Sequence, residues 1–142
     1  MNAAYWDSSA LVPLCVRRQA GATLRRLVRQ HDMVVWWSTP VEMQSAFARL
    51  HRTGQLNGTE HAAASAALLQ LRSSWREMQP TERLRLEAES LLNRFPLKAA
   101  DSLQLAAALI WAVGKPQGRV FICADDQLLQ AARQLGFQTI KP

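Results

Sequence analysis

The chain has little to staple it and little to anchor it. Cysteine occurs only at Cys15 and Cys123, outside any Cys-x-x-Cys pair and among apolar neighbours, so two buried free thiols are expected rather than a disulfide frame or a zinc site. The longest uninterrupted apolar run, Leu105 to Val113, is nine residues, about half of what a membrane helix needs. The opening residues show no basic stretch followed by an apolar one, so no signal peptide is expected and the cytosol is the expected compartment. His31, His51 and His61 fit no metal-ligand spacing. No Gly-x-Ser-x-Gly elbow is present, which argues against a Ser–His–Asp hydrolase. No glycine-rich phosphate loop is present, which argues against nucleotide-driven chemistry.

What remains is an ordinary globular composition. The 142 residues are 49% apolar and 20% charged, enough apolar surface to offset chain entropy in one domain spanning residues 1–142. Seventeen basic against eleven acidic residues leave a net charge of +6, and only Lys98, Lys115 and Lys141 among the cations are not arginine. Arginine is the better bidentate partner for phosphate and carboxylate. Such a balance leans towards nucleic acid or an acidic protein partner, although a basic chain is not a binding site by itself.

Apolar runs and helical periods alternate along the chain, which predicts an α/β domain with a short, mainly parallel sheet flanked by helices. Strands are expected at Ala3–Trp6, Met33–Trp37, Arg119–Cys123 and Phe137–Ile140. Helices are expected over 9–18, 22–30, 40–53, 59–78, 82–94, 97–113 and 125–135. Thr39, Pro40 and Glu42 read as the N-cap, first position and partner of a capping box.

With few acids, the position of each can be examined. Asp7 and Asp125 each follow a strand, Glu42 lies in the first turn of a helix, and Asp101 lies near the start of a very apolar one. Singly, each has a common use: Asp7 and Asp125 as N-caps, Glu42 in its capping box, Asp101 against a helix dipole. Together they occupy one kind of place, strand ends and helix starts, where the sites of open parallel sheets form. Four such carboxylates repel one another, and a hard divalent cation, Mg²⁺ or Mn²⁺, relieves that repulsion with oxygen ligands alone. A site of this kind polarises a phosphoryl oxygen and activates water.

The string Tyr5-Trp6-Asp7-Ser8-Ser9-Ala10-Leu11-Val12 resembles the opening of PIN-domain proteins, in particular the VapC-type toxins of bacterial toxin–antitoxin pairs. Ser38-Thr39-Pro40-Val41-Glu42, with Arg49 seven residues on, is similar to their second motif, and Leu97 to Ala106 to their third. Phe121-Ile122-Cys123-Ala124-Asp125-Asp126-Gln127-Leu128-Leu129, followed by Gly136-Phe137, is similar to the fourth. The resemblance covers nearly the whole chain. It implies a PIN-like fold and a metal-dependent endoribonuclease acting on cytosolic RNA of the tRNA or ribosomal class. It implies Asp7, Glu42, Asp101 and Asp125 as the acidic quartet around Mg²⁺ or Mn²⁺, with Ser9, Thr39 and Arg49 in support. It also implies a homodimer held inactive by a small antitoxin. Two positions depart from the pattern: Cys123 stands where a small hydroxyl is common, and Gln104 where relatives often carry His. Asp125 rather than Asp126 aligns with the motif.

Outside the quartet, Arg17, Arg18, Arg25, Arg26 and Arg29 form the densest basic stretch, suited to RNA or an acidic partner segment but equally to a solvated helix face. Trp6, Trp36 and Trp37 fall in expected strands and are assigned to the core, whereas Trp75 is the expected surface tryptophan. Two other functions remain open on the same residues: a non-catalytic RNA-binding or regulatory domain, and a metal-free ligand binder with dispersed acids.

Overall fold

The computed structural model describes residues 2–16 and 19–142. In chain order the elements are β1 (Asn2–Trp6), α1 (Ser8–Cys15), α2 (Ala22–Gln30), β2 (His31–Trp36), α3 (Thr39–Arg52), α4 (Gly58–Arg72), β3 (Arg76–Met78), α5 (Glu82–Leu92), α6 (Ala99–Trp111), β4 (Val120–Ile122), α7 (Asp126–Leu135) and β5 (Gln138–Ile140). The expected α/β class is the observed one. All strands are parallel, in the order β3-β2-β1-β4-β5.

Side chains alternate across this sheet because successive Cβ atoms of a strand point to opposite faces. Tyr5, Val34, Trp36 and Phe121 pack on one face under α5, α6 and α7. Ala4, Trp6, Met33, Val35 and Ile122 pack on the other under α1 to α4. Burial on both faces explains why β1 and β2 read as continuous apolar runs. Among the described residues no helix is long and apolar enough to cross a membrane.

The strand order reverses at β1, which has β2 on one side and β4 on the other. Chains leaving β1 and β4 therefore diverge, and a crevice opens at their carboxyl ends. The backbone N–H of Asp7 donates to the Ile122 carbonyl at 3.0 Å, tying the two strand ends together at that point.

Two sequence expectations are corrected. The helix expected over 59–78 ends at Arg72, and Arg76–Met78 is instead the edge strand β3. Three residues of mixed polarity carry too little period to separate from a preceding helix. Helix α3 begins one residue early, with Ser38 as N-cap, so the Thr39–Glu42 capping box does not form. A complete capping box instead opens α4, where Asn57 and Glu60 exchange bonds of 2.8 and 3.0 Å. Of the basic stretch, Arg17 and Arg18 lie outside the described residues, while Arg25, Arg26 and Arg29 are exposed on α2.

Gly136 closes α7 with φ +112°, and a methyl group there would approach Gln117 Nε2 to 2.9 Å. The Gln117 side chain can move aside, but the backbone conformation still disfavours an L-residue. Gly136→Ala is expected to cost about 1–2 kcal/mol, read as a lower urea midpoint with an unchanged slope.

Candidate metal centre

Asp7 leaves β1 at the reversal point and is 3% exposed. It caps α1, its carboxylate accepting from the Ser9 backbone N–H at 3.1 Å and also from the Ser9 hydroxyl. Ser9 in turn accepts from the Ala124 backbone N–H at 2.9 Å, so one hydroxyl fastens the β1 exit to the β4 exit. This is the support expected of Ser9.

Glu42, in the first turn of α3, accepts from Ser8 Oγ at 3.0 Å, Ser38 Oγ at 2.8 Å and Gln104 Nε2 at 3.0 Å. Every one of those donors is neutral. Gln104 is fully buried on α6 and also donates to Thr39 Oγ1 at 3.2 Å. Its amide oxygen accepts from the Tyr5 hydroxyl. Burial, then the nearby Asp7 and Glu42, push the Tyr5 phenol well above its ordinary range, which keeps it a donor. A chain of donors thus runs from the core, Tyr5 to Gln104 to Glu42.

Asp101 stands one turn before Gln104 on the same helix, half-buried. Asp125 caps α7, its carboxylate accepting from the backbone N–H groups of Gln127 and Leu128 at 2.9 and 3.2 Å. Asp126 is turned away and pairs with Lys141 at 2.7 Å on the exposed surface.

The four acids come from four separate elements and act on one another. Burial first, and then Glu42 and Asp101, push the Asp7 carboxyl from 3.8 up to about 6, against the opposing Ser9 bonds. The Asp101 carboxyl is also raised, by burial, Asp125 and Glu42, with Lys98 opposing. In a chain of net charge +6, Lys98 is thus the cation that counters Asp101.

Oxygen donors with unbalanced negative charge suit a hard divalent ion. Among the described residues, however, no group of three or more His, Cys, Asp or Glu side chains is arranged to hold a metal ion as it stands. The local bonds explain the spread: each of Asp7, Glu42 and Asp125 is drawn onto hydroxyl, amide or backbone donors of its own. The residue chemistry fits a cation, and closure around one requires side-chain rotation.

Of the expected supporting residues, Thr39 is buried on Gln104, whereas Arg49 is exposed in the last turn of α3. Among the described residues, Arg49 forms no ion pair with the acids. Cys123 is buried and free as expected, but its neighbours are polar: Sγ lies 3.6 Å from Asp7 Oδ2 and accepts from the Asp125 N–H at 3.3 Å. Burial first, and then Asp7, push its thiol far up, so it stays neutral beside the carboxylates. Cys15 is raised to about 11 by burial alone.

The residue pattern marks Gln104 only as a departure from His and gives no site role to Tyr5, Ser8 or Ser38. A glutamine bordering the apolar run after Asp101 was the available signal, since a buried amide needs partners.

No family model matches this sequence, and no curated protein matches it. Two solved structures share its fold. One is a toxin–antitoxin complex from Klebsiella pneumoniae, 13% identical, covering 87% of each chain with a TM-score of 0.62. The other is PAE2754 from Pyrobaculum aerophilum, 20% identical, covering 99% of this chain and 89% of that one with a TM-score of 0.64. At these identities the likeness concerns the fold.

Two outcomes follow from the geometry. The folded carboxyl of Asp7 lies above its unfolded value, so its contribution to stability is complete below 3.8 and is lost as pH rises through about 6. Without metal, that loss is on the order of 3 kcal/mol. Asp101→Asn is expected to raise the metal-free Tm at neutral pH and to do little near pH 4, compared by calorimetry. Gln104→Leu is expected to cost about 1–3 kcal/mol in urea unfolding, because it strands the Tyr5 hydroxyl and the Glu42 carboxylate together.

Proposed function

We propose that this protein is a metal-dependent endoribonuclease of the PIN-domain, VapC-like type, the toxin of a toxin–antitoxin pair. The observation that carries the reading is the convergence of Asp7, Glu42, Asp101 and Asp125, from four elements, on the crevice where the strand order reverses. The fold shared with a structure described as a toxin–antitoxin complex supports the partner half of the proposal.

Asp7, Glu42, Asp101 and Asp125 would hold Mg²⁺ or Mn²⁺. When bound, the cation polarises a phosphoryl oxygen and lowers the pKa of water. The chain's own part is to orient carboxylates and to accept a proton. Ser9 fixes Asp7, and Gln104, Ser8 and Ser38 fix Glu42. Each does so without adding positive charge that would compete with a cation. Among the described residues Asp101 is the carboxylate that accepts no such bond, which leaves its oxygens open to take the proton of the attacking water. Water oxygen bonds to phosphorus, the bond to the leaving ribose oxygen breaks, and that oxygen takes a proton from solvent.

The partners that accompany this reading are RNA of the tRNA or ribosomal class, a small antitoxin and a second copy of the chain. The second reading is a non-catalytic RNA-binding domain. It is favoured by the observation that, among the described residues, no three His, Cys, Asp or Glu side chains are arranged to hold a metal ion as they stand.

The two separate in one assay. Purified protein incubated with total RNA is expected to cleave it with Mn²⁺ and not with a chelator. Asp7→Asn is expected to lower the rate by about 10²-fold or more. Intact RNA in every lane, with RNA still bound on a gel, would establish the binding domain instead.

A further inference from the structure

Four of the five tryptophans are buried, Trp6, Trp36, Trp75 and Trp111, at 9% exposure or less. Trp37 is 52% exposed, so the surface tryptophan is Trp37 and not Trp75. Trp75 packs in the core and donates its N–H to Glu77 at 3.0 Å. An indole left in water forgoes a large hydrophobic gain.

The position of Trp37 is specific. It follows the last residue of β2, in the bend that leads to Glu42, at the carboxyl edge where the acids gather. Its backbone N–H donates to the Met78 carbonyl at 3.1 Å, fastening the bend to β3. Its ring meets Trp36 edge-on, with centroids 6.4 Å apart and planes at 65°. The indole is therefore supported from behind while about half of it stays in solvent. Val41, beside Glu42, is 67% exposed and extends the apolar rim. A cavity of about 340 Å³ lies against the neighbouring Trp36, walled also by Leu84 and Leu103, with the ion pair Arg85–Glu82 at its edge. Leu103 stands two residues after Asp101, so the helix that carries Asp101 also bounds this cavity.

We propose that Trp37 is a stacking platform for an unpaired nucleobase beside the acidic cluster. The inference rests on the ribonuclease reading and narrows it to single-stranded RNA. A base in a duplex has its faces covered by its neighbours and cannot stack on an indole. Stacking also answers a local electrostatic difficulty: without a cation, the carboxylates repel the phosphates next to them, and a neutral base held on an indole is attracted there without meeting that repulsion. Every base has a π-face, so the platform is tolerant of sequence.

The test is fluorescence anisotropy in chelating buffer, where the proposed hydrolysis does not run. The probes are a labelled mixed-sequence RNA strand of about ten nucleotides and the same strand annealed to its complement. Trp37→Ala is expected to weaken single-strand binding by about tenfold, and Trp37→Phe to stay within about threefold of the parent. Leu69→Ala, an exposed apolar control on α4, is expected to bind as the parent does. The duplex is expected to bind more weakly than the single strand. Equal binding by Trp37→Ala, or by the duplex, overturns the inference. Unchanged RNA binding with a shifted elution volume on a sizing column overturns it in favour of a protein contact. If the parent cleaves RNA with Mn²⁺ while Trp37→Ala binds normally, the platform alone fails. If the parent neither cleaves nor binds, the ribonuclease reading falls and takes the platform with it.

Discussion

Mutual repulsion among buried carboxylates organises the rest of this molecule. Asp7 is almost fully buried, and Glu42 and Asp101 act on it across the crevice. A protein can relieve such a conflict with a cation, a proton or a set of neutral donors. Here the donors of Ser8, Ser9, Ser38 and Gln104 are in place, and the carboxyls of Asp7 and Asp101 are raised all the same, first by burial and then by the acids beside them. Residual strain of this electrostatic kind is what a functional site retains at a cost in stability.

The neutral donors have a second consequence. An arginine against Glu42 would satisfy it more strongly, and would also cancel the charge that a divalent ion needs. Gln104 cannot titrate, so its bonds to Glu42 and Thr39 persist at any pH at which the fold survives. Tyr5 fixes which way the Gln104 amide points, because its hydroxyl donates to the oxygen. The polar chain therefore reaches from the floor of the sheet to the site without a charged member other than the carboxylate itself.

Much of this was legible in the residues. The alternation of strand and helix and the positions of Asp7 and Asp125 after strands follow from local pattern. The tryptophans show where such reasoning stops. Trp37 continues a β-rich run and reads as core, but the strand ends at Trp36 and the next residue bends into solvent. Trp75 sits among Ser73, Ser74 and Arg76 and reads as surface, but β3 draws it under α4. Both errors come from the missed edge strand, whose pairing with β2 is a long-range contact that no local window contains. Likewise Thr39 does not cap α3: it is the first helical residue, and its hydroxyl accepts from Gln104, sixty-five residues away.

Composition and periodicity alone determined an α/β chain whose acids fall at strand ends and helix starts, because burial on two faces and helix capping are local demands. Tertiary structure decided that β1 would lie between β2 and β4, and so that Asp7 and Asp125 would flank one crevice. It also decided that an amide on α6 would hold a carboxylate on α3, and that one tryptophan of five would stay in water. Those outcomes depend on strand order and packing between distant segments. Their energies arise only when the chain is closed upon itself.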